Sequence, residues 1–278
     1  MAIKKIQILD IPSPGILGGV YSELICALTS TFYKMGIEVT YSRDSLNKNI
    51  PRIIFGCYRL FINNNKPPFI PKDTIIFNLS PLPYSQEEWF KNYIYFIKSY
   101  HSIDYSYENI NYLESLHKEK IKRHKFNFAF FELTSLKFPT RNNQFLFYGK
   151  MNDLRTKKIM HLRQNGLPIR VLSNSWGYER DIQIATSKAI INIPKYEKNI
   201  LEVYRIWHSL CLNTPVISEK GLDRKLADEF NDFILFKNNI APNEIVNDEL
   251  KTAEVFRQKT SFDQSVVDLI NFIKEIHV

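Results

Sequence analysis

The chain has 278 residues, of which 44% are hydrophobic and 24% charged, and its formal net charge is +8 at pH 7. This composition is that of a globular protein, and it excludes collagen-like, low-complexity and largely disordered classes. No apolar stretch approaches the roughly 18 residues of a membrane-spanning helix. The apolar run near the start is broken by Gln7, Asp10 and Pro12, which argues against a secretory signal. The length predicts two domains.

The cysteine and basic residues indicate the cellular compartment and the kinds of partner to expect. Cys26, Cys57 and Cys211 show no Cys-x-x-Cys spacing, which is typical of a reducing cytoplasm where thiols act as small core hydrophobes. The densest basic segment, 118–125, is expected to be a solvated surface stretch. The positive charge would also suit peripheral contact with the anionic inner face of the cell membrane. Nucleic acid is not an expected partner, because no helix-turn-helix, zinc-finger or RRM signature accompanies the charge.

In the first half of the chain, strand patterns alternate with amphipathic helices. The predicted strands are 3–11, 37–41, 53–55 and 74–79, and the predicted helices are 21–35, closed by Gly36, and 108–116. The apolar segments 93–97 and 102–105 flank a region that the pattern leaves unassigned. A turn containing Gly15, Gly18 and Gly19 links the first strand to the first helix. It is either a plain tight turn or a loop that lets backbone N–H groups approach a ligand.

The second half repeats the alternation after an aperiodic stretch at 126–144, within which 139–143 predicts a linker. The predicted strands are 145–148, 169–172, 189–193, 215–218 and 233–236, and the predicted helices are 153–165, 178–187, 199–212, 224–230 and 264–276. Strands that alternate with helices predict parallel sheets. Two such blocks predict an α/β protein of two Rossmann-like domains, whose strand ends face each other across a cleft.

Charged and aromatic residues follow the predicted strands of the second block. Gly149 and Lys150 come directly after the strand at 145–148, and Arg155 lies at the start of the next helix, whose dipole favours anions. Trp176 and Gly177 follow the next strand. The indole there either packs on a flat base or lies at the edge of the core.

The segment 192–205 places a loop and a helix at the same edge of the sheet. Glu202 is expected one turn inside that helix, where its carboxylate can accept hydrogen bonds from both hydroxyls of a ribose. Arg205, three residues on, shares that helix face and can meet phosphate. The alternative is an ordinary ion pair between Glu202 and Arg205.

Five motifs in this order carry a specific resemblance: Tyr148-Gly-Lys, Trp176-Gly-x-Glu-Arg-Asp, Ala189-Ile-Ile-Asn-Ile, Tyr196-Glu-x-x-Ile-Leu-Glu-x-x-Arg and Pro215-Val-Ile-Ser-Glu. Together they resemble the C-terminal, donor-binding half of GT-B glycosyltransferases, and most of all the compact bacterial, CgeB-like group. In the first half, the segment 103–110 and the pair Gly18 and Gly19 are similar to corresponding segments of those enzymes. Two glutamates eight apart are usual in GT-B members, whereas Glu197 and Glu202 are five apart.

The resemblance implies transfer of a hexose or related sugar from a nucleotide-sugar donor to a hydroxyl of a glycan or lipid-linked glycan, in surface polysaccharide or glycoconjugate synthesis. It assigns acceptor binding to residues 1–138, with Gly18 and Gly19 in an acceptor-side loop, and donor binding to 139–263. A helix at 264–278 crosses back to the first domain. The donor-binding residues that it implies are Gly149, Lys150, Arg155, Trp176, Gly177, Tyr196, Glu197, Ile200, Leu201, Glu202 and Arg205.

The implied chemistry needs neither a metal nor a cofactor, because helix dipoles and cationic side chains can neutralise a departing diphosphate. The sequence has no Asp-x-Asp motif, and its histidines lack ligand spacing. Lys150, Arg155 and Arg205 are the residues expected to meet the leaving group.

An inverting enzyme also needs a general base in the first domain, and a retaining one does not. The candidates for that base are Asp104, which ranks first by position, and then Asp10, Glu23 and His101. Asp104 has an alternative role as a cap of the following helix, which Ser106 can share. The alternative function is that of a non-catalytic GT-B-like subunit that binds a glycan or a partner protein.

Overall fold

The computed structural model of the protein describes residues 2–12, 20–44, 47, 49–61, 70–83, 88–116, 121–133, 140–237 and 253–277. The chain divides into two compact units. Unit 1 is formed by Met1–Asn127 and Phe262–Val278, and unit 2 by Phe128–Ser261. The glycine turn with Gly15, Gly18 and Gly19 lies outside the described residues.

Unit 1 is a parallel α/β sheet. Its six strands run in the order β2-β1-β3-β4-β5-β6. They are β1 (Lys5–Asp10), β2 (Glu38–Ser42), β3 (Arg52–Phe55), β4 (Ile75–Asn78), β5 (His101–Asp104) and β6 (Arg123–Lys125). The helices described with them are α1 (Ser22–Lys34), α2 (Glu88–Ile97) and α3 (Tyr107–Leu116), and a 3-10 turn spans Cys57–Phe61. The central strands are buried along their length, because parallel sheets are covered on both faces.

Unit 2 repeats the architecture with a five-stranded parallel sheet of order β11-β10-β9-β7-β8. Its strands are β7 (Phe145–Tyr148), β8 (Ile169–Leu172), β9 (Ala189–Asn192), β10 (Val216–Ser218) and β11 (Leu235–Phe236). Its helices within the described residues are α4 (Asp153–Gln164), α5 (Gly177–Ala185), α6 (Val203–Cys211), α7 (Arg224–Glu229) and α8 (Ala253–Lys259). A core of apolar strand residues packs on α4 through Ile159 and Leu162.

The last helix, α9 (Phe262–His277), belongs to unit 1, although its sequence follows unit 2. It packs beside α1, and Val266, Leu269 and Ile273 are fully buried. The ring of Phe272 stacks on the imidazole of His124, with ring centroids 5.1 Å apart. The expected crossing of the chain back to the first domain is therefore confirmed. No helix in the described part of the chain is both long and apolar enough to cross a bilayer.

Three expectations about local structure were wrong. The stretch 118–125 is not a wholly solvated segment, because its last three residues form β6, where the half-buried Arg123 donates hydrogen bonds to the carbonyl oxygen of Lys98 and to Ser102 Oγ. Cys26 is exposed, whereas Cys57 and Cys211 are buried as expected. The helix predicted at 199–212 begins only at Val203, so Glu202 lies at the cap position before it.

Candidate functional site

A cavity of about 200 Å³ opens at the carboxyl edge of the unit 2 sheet. It lies where β9 and β10 end and where α6 begins, which is the edge at which open α/β sheets bind ligands. Its lining residues are Asn192, Pro194, Glu197, Asn199, Ile200, Leu201, Glu202, Glu219, Lys220, Gly221, Leu222 and Arg224. Glu197, Ile200, Leu201 and Glu202 are the sequence-predicted residues among them.

The carboxylate of Glu202 is the centre of an ionic cluster beside this cavity. Its Oε1 accepts hydrogen bonds from Arg155 Nη2 at 2.5 Å and from the backbone N–H of Lys195 at 3.1 Å. Its Oε2 lies 2.6 Å from Arg205 Nη2. The Glu202 side chain is still 23% exposed, so the carboxylate keeps a solvent-facing side. The ion pair with Arg205, which the sequence left as the alternative, is therefore present, and it leaves room for a ligand hydroxyl.

Arg155 is buried and fully engaged inside unit 2. Besides Glu202, its guanidinium donates from Nε to the carbonyl of Ile193 at 3.1 Å and from Nη1 to that of Lys150 at 2.6 Å. Burial lowers the pKa of Arg155 to about 10, and the carboxylate of Glu202 works against that decrease. Arg155 remains charged at neutral pH and holds Glu202 in place.

Arg205 is fixed from several sides. Its Nη1 donates to Asn192 Oδ1 at 2.8 Å, and its guanidinium lies over the rings of Phe147 and Tyr148 at 5.3 and 5.5 Å. Gly149, with a φ of 133°, allows this approach, because a Cβ there would come within 2.7 Å of Arg205 Nη2. Gly149 therefore makes room for Arg205, whereas Lys150 and Arg155 were the cations that the sequence analysis associated with this glycine.

The other predicted donor residues are not among those that line the cavity. Lys150 is exposed. Trp176 precedes α5, is 36% exposed and lies under the guanidinium of Arg180, and Gly177 is the first residue of that helix. Tyr196 carries the ammonium of Lys195 over its ring at 4.8 Å.

Several lining residues were missed in the sequence analysis. Lys220 and Arg224 bring cationic side chains to the cavity from the segment after β10. Glu219 lies there as well, with its Oε1 2.5 Å from Lys158 Nζ. The signal for these residues was their place directly after a buried strand, the same signal that identified Lys150 and Trp176.

Asn199 joins the two segments that line the cavity. Its backbone carbonyl accepts a hydrogen bond from the N–H of Leu222 at 2.9 Å, and its side chain is buried. Within the described part of the chain, its Oδ1 has no hydrogen-bond partner. Buried amide oxygens are rarely left unpaired, so a polar group of a ligand or a water would be accommodated here.

In unit 1, Asp104 is fully buried at the end of β5 and accepts hydrogen bonds from Asn78 Nδ2 at 2.7 Å and Asn109 Nδ2 at 2.8 Å. Its Oδ1 also accepts from the N–H of Ser106, and Ser106 Oγ accepts from the N–H of Asn109. These hydrogen bonds hold the N-terminus of α3 in place. Burial raises the pKa of Asp104 to about 7, against the effect of its hydrogen bonds. The helix cap is therefore Ser106, which accepts from a backbone N–H of α3, whereas Asp104 bonds to the residue before the helix and to the Asn109 side chain.

The remaining general-base candidates of unit 1 lie on different elements. Asp10 ends β1 and is fully buried. Glu23, in the first turn of α1, accepts a hydrogen bond from Ser22 Oγ at 3.1 Å. His101 begins β5 on the opposite edge, where its Nδ1 accepts from the N–H of Lys122 and burial lowers its pKa. Gly18 and Gly19 lie outside the described residues.

Comparison with known proteins identifies the fold of the chain but assigns it to no family. No model of a known protein family matches the chain. AviGT4, a glycosyltransferase involved in avilamycin A biosynthesis, superimposes with a TM-score of 0.53 at 10% identity, covering 98% of this chain and 97% of AviGT4. The chain has the GT-B fold. T4 phage BGT, solved with UDP and Mn²⁺, is also similar, with a TM-score of 0.48 at 11% identity over 98% of this chain and 97% of that one.

A relative by sequence is the uncharacterized protein L140 of Acanthamoeba polyphaga mimivirus. It is 29% identical over 144 residues, which is 50% of this chain and 45% of L140. The match therefore spans less than half the length of that relative.

Proposed function

We propose that the protein is a glycosyltransferase that takes a sugar from a nucleotide-sugar donor bound in the unit 2 cavity. The observation that carries the proposal is the cavity at the N-terminus of α6, where Arg155 and Arg205 hold the Glu202 carboxylate in the lining and Lys220 and Arg224 supply lining cations. A helix N-terminus favours phosphate. Arg155 and Arg205 pair with Glu202, and Lys158 pairs with Glu219. Two of the three lining carboxylates are therefore offset by cations behind them, and Lys220 and Arg224 add positive charge to the lining itself.

In this proposal, the exposed side of Glu202 accepts hydrogen bonds from the ribose hydroxyls, while Arg155 and Arg205 fix its orientation. Lys220 and Arg224 are the lining cations that can approach the diphosphate, and exposed Lys150 is a third candidate. As the sugar leaves, negative charge develops on the diphosphate, and fixed cations stabilise it without reorganisation. We propose that this transfer needs no metal ion.

The acceptor side is proposed on the same basis. We assign a glycan or lipid-linked glycan acceptor to unit 1, in the manner of the compact, CgeB-like enzymes that the sequence motifs resemble. Surface polysaccharide or glycoconjugate synthesis and contact with the inner membrane face are further parts of this proposal. The net charge of +8 supports the membrane contact.

The first experiment is a thermal-shift screen of the full chain with UDP, GDP, CMP, dTDP and ADP, with and without Mg²⁺. A ligand that binds only the folded state raises the melting temperature, and 100 Kd of nucleotide adds about 2.7 kcal/mol of stability. We expect one nucleotide to raise the melting temperature by about 5–10 °C without Mg²⁺. Glu202→Gln should abolish that shift.

Glu254→Gln, which changes an exposed acidic residue in the first turn of α8, is the matched control and should keep the full shift. A second assay follows release of the nucleoside diphosphate from the corresponding nucleotide sugar. Binding without any turnover would favour the non-catalytic GT-B-like subunit. No shift with any nucleotide at millimolar concentration would refute the donor site.

A further inference from the structure

A second polar site lies in unit 1, at the point where the strand order of the sheet reverses. From β1, the chain proceeds outward to β2 and then returns to β3 on the other side of β1. Asp10 ends β1, opposite Phe55 of β3, and Arg59 lies in the 3-10 turn that follows β3. In open parallel sheets the crevice at such a reversal is a preferred ligand position.

The two charged side chains there are buried and incompletely paired. Arg59 Nη1 lies 3.8 Å from Asp10 Oδ1, which is beyond hydrogen-bond distance, and the side chains are 2% and 0% exposed. Asp10 Oδ2 accepts a hydrogen bond from Tyr41 OH at 3.3 Å. Arg59 donates from Nη1 to the carbonyl of Ile11 and from Nε to Tyr58 OH. Across the described ranges, Asp10 Oδ1 and Arg59 Nη2 have no hydrogen-bond partner.

The surroundings hold the guanidinium in this position. It lies over the rings of Tyr21 and Tyr58, at 5.2 and 5.4 Å from their centroids. Gly56 has a φ of +68°, and a Cβ on it would come within 2.9 Å of Arg59 Nη1. Arg59 is therefore fixed by packing, and its unpaired N–H cannot turn freely toward another acceptor.

The unpaired atoms define the chemistry of an occupant. A hydroxyl group can donate to Asp10 Oδ1 and accept from Arg59 Nη2 at the same time. A charged group is disfavoured there, because the opposite charges of Asp10 and Arg59 offset each other and a further buried charge would lack a partner. We propose that Asp10 and Arg59 bind a hydroxyl of a neutral, polyhydroxylated ligand such as a sugar. The site itself is inferred from unit 1 alone, and only the assignment of that ligand as the acceptor rests on the proposed function.

The test observes the Arg59 side chain in the full chain. Protein labelled with ¹⁵N-arginine is titrated with methyl glucoside, methyl glucuronide and methyl glucosaminide, which are neutral, anionic and cationic. The Arg59 Nε–H resonance, assigned with Arg59→Lys, should shift with the neutral glycoside, and affinity should fall at least 10-fold for both charged ones. Asp10→Asn should weaken binding of the neutral glycoside at least 10-fold, whereas Asp44→Asn, on the exposed surface of unit 1, should not.

Three results would overturn the proposal. They are an Arg59 signal that no glycoside moves at 50 mM, equal affinity for the three glycosides, and a long-lived water at the pair that no sugar displaces. The comparison of the three glycosides uses the unmodified protein, so it stands even if Asp10→Asn fails to fold. A nucleotide titration of the same sample reports on unit 2 separately, so loss of one site is distinguishable from loss of the other.

Discussion

A carboxylate buried at the carboxyl edge of a parallel sheet is stabilised by the hydrogen-bond donors that surround it. Asp104 in unit 1 has such a set, because Asn78, Asn109 and the backbone of Ser106 all donate to it. Tyr93 extends the network by donating from its hydroxyl to Asn78 Oδ1 at 3.0 Å. The network orders the ends of β4 and β5 together with the start of α3.

This burial predicts a pH-dependent stability at Asp104. The folded-state pKa is raised to about 7, above the ordinary value of 3.8. The folded state therefore holds the proton more tightly, and its contribution to stability is present below about pH 4 and is lost as the pH rises to about 7. Asp104→Asn should remove this dependence, which is on the order of 1–4 kcal/mol.

Denaturant titrations at pH 4, 5, 6 and 7 measure the effect as the difference in unfolding free energy between wild type and Asp104→Asn. That difference cancels the contributions of other titrating groups, such as Asp10 with its raised pKa and Asp181 with its lowered pKa. Asp44→Asn is the control and should give a constant difference. Parallel curves for wild type and Asp104→Asn would contradict the prediction.

The contacts of the site residues could be predicted from the sequence only in part. The i, i+3 spacing of Glu202 and Arg205 placed the two side chains on one face and left an ion pair as the alternative to ligand binding, and the structure contains that ion pair. The burial of Arg155 was not predictable, because its three carbonyl and carboxylate partners lie 5, 38 and 47 residues away in sequence. A local pattern carries no information about such distant partners.

At the level of elements, the start of α4 links a helix cap to the cavity loop. Asn152 caps this helix, because its Oδ1 accepts a hydrogen bond from the N–H of Arg155 at 3.0 Å. Its Nδ2 donates to the carbonyl of Lys195 at 2.7 Å. The N–H of Lys195 in turn donates to Glu202. One side chain therefore orders both the helix and the loop that leads to the cavity.

Replacement of this cap should reduce stability and nucleotide affinity together. We expect Asn152→Ala to lower the free energy of unfolding by about 1–2 kcal/mol, since a cap and a second hydrogen bond are lost. Nucleotide affinity should fall about 3–10-fold, because the loop that holds Glu202 loses its anchor. Denaturant titration and nucleotide titration measure the two effects. Gln164→Ala, an exposed change in the same helix, should alter neither, and an unchanged nucleotide affinity in Asn152→Ala would contradict the proposed coupling.

Elements with strong periodicity were predicted well, and elements decided by tertiary contacts were not. The apolar strands 145–148 and 169–172 occur at the predicted residues. The strand β6 was missed because Arg123–Lys125 has no apolar pattern, and it pairs with β5 all the same. The turn of α6 expected before Val203 is absent. Glu202 precedes the helix, and its carboxylate bonds to the N–H of Lys195 and to Arg155.

At the level of the whole molecule, the order of segments along the chain does not match the division into compact units, because unit 1 contains both ends of the chain. The alternation of strands and helices predicted two sheets, and the resemblance to GT-B enzymes implied a terminal helix that returns to the first one. The length and composition of the stretch from 126 to 144 could not show where unit 2 begins, since its aromatic residues lack a period. In the structure, Trp207 Nε1 of α6 donates to the carbonyl of Ala129 at 2.7 Å, which joins this stretch to unit 2.

The terminal helix gives the last prediction, because it belongs to unit 1 through side chains such as Leu269, which is fully buried. Leu269→Ala should lower the free energy of unfolding of unit 1 by about 2–4 kcal/mol, the cost of a buried leucine and the space that it leaves. Hydrogen exchange should quicken in β1 and α1, while β7 and β9 of unit 2 keep their protection and nucleotide binding is retained.

Asn271→Ala, an exposed change on the same helix, is the control and should leave hydrogen exchange in both units unchanged. If Leu269→Ala accelerated exchange equally in both sheets, the two units would unfold as one cooperative body. If it accelerated exchange in neither, α9 would contribute no stability to unit 1. Faster exchange confined to unit 1 is the result that we expect, because Leu269 is buried in the core of a helix that belongs to unit 1.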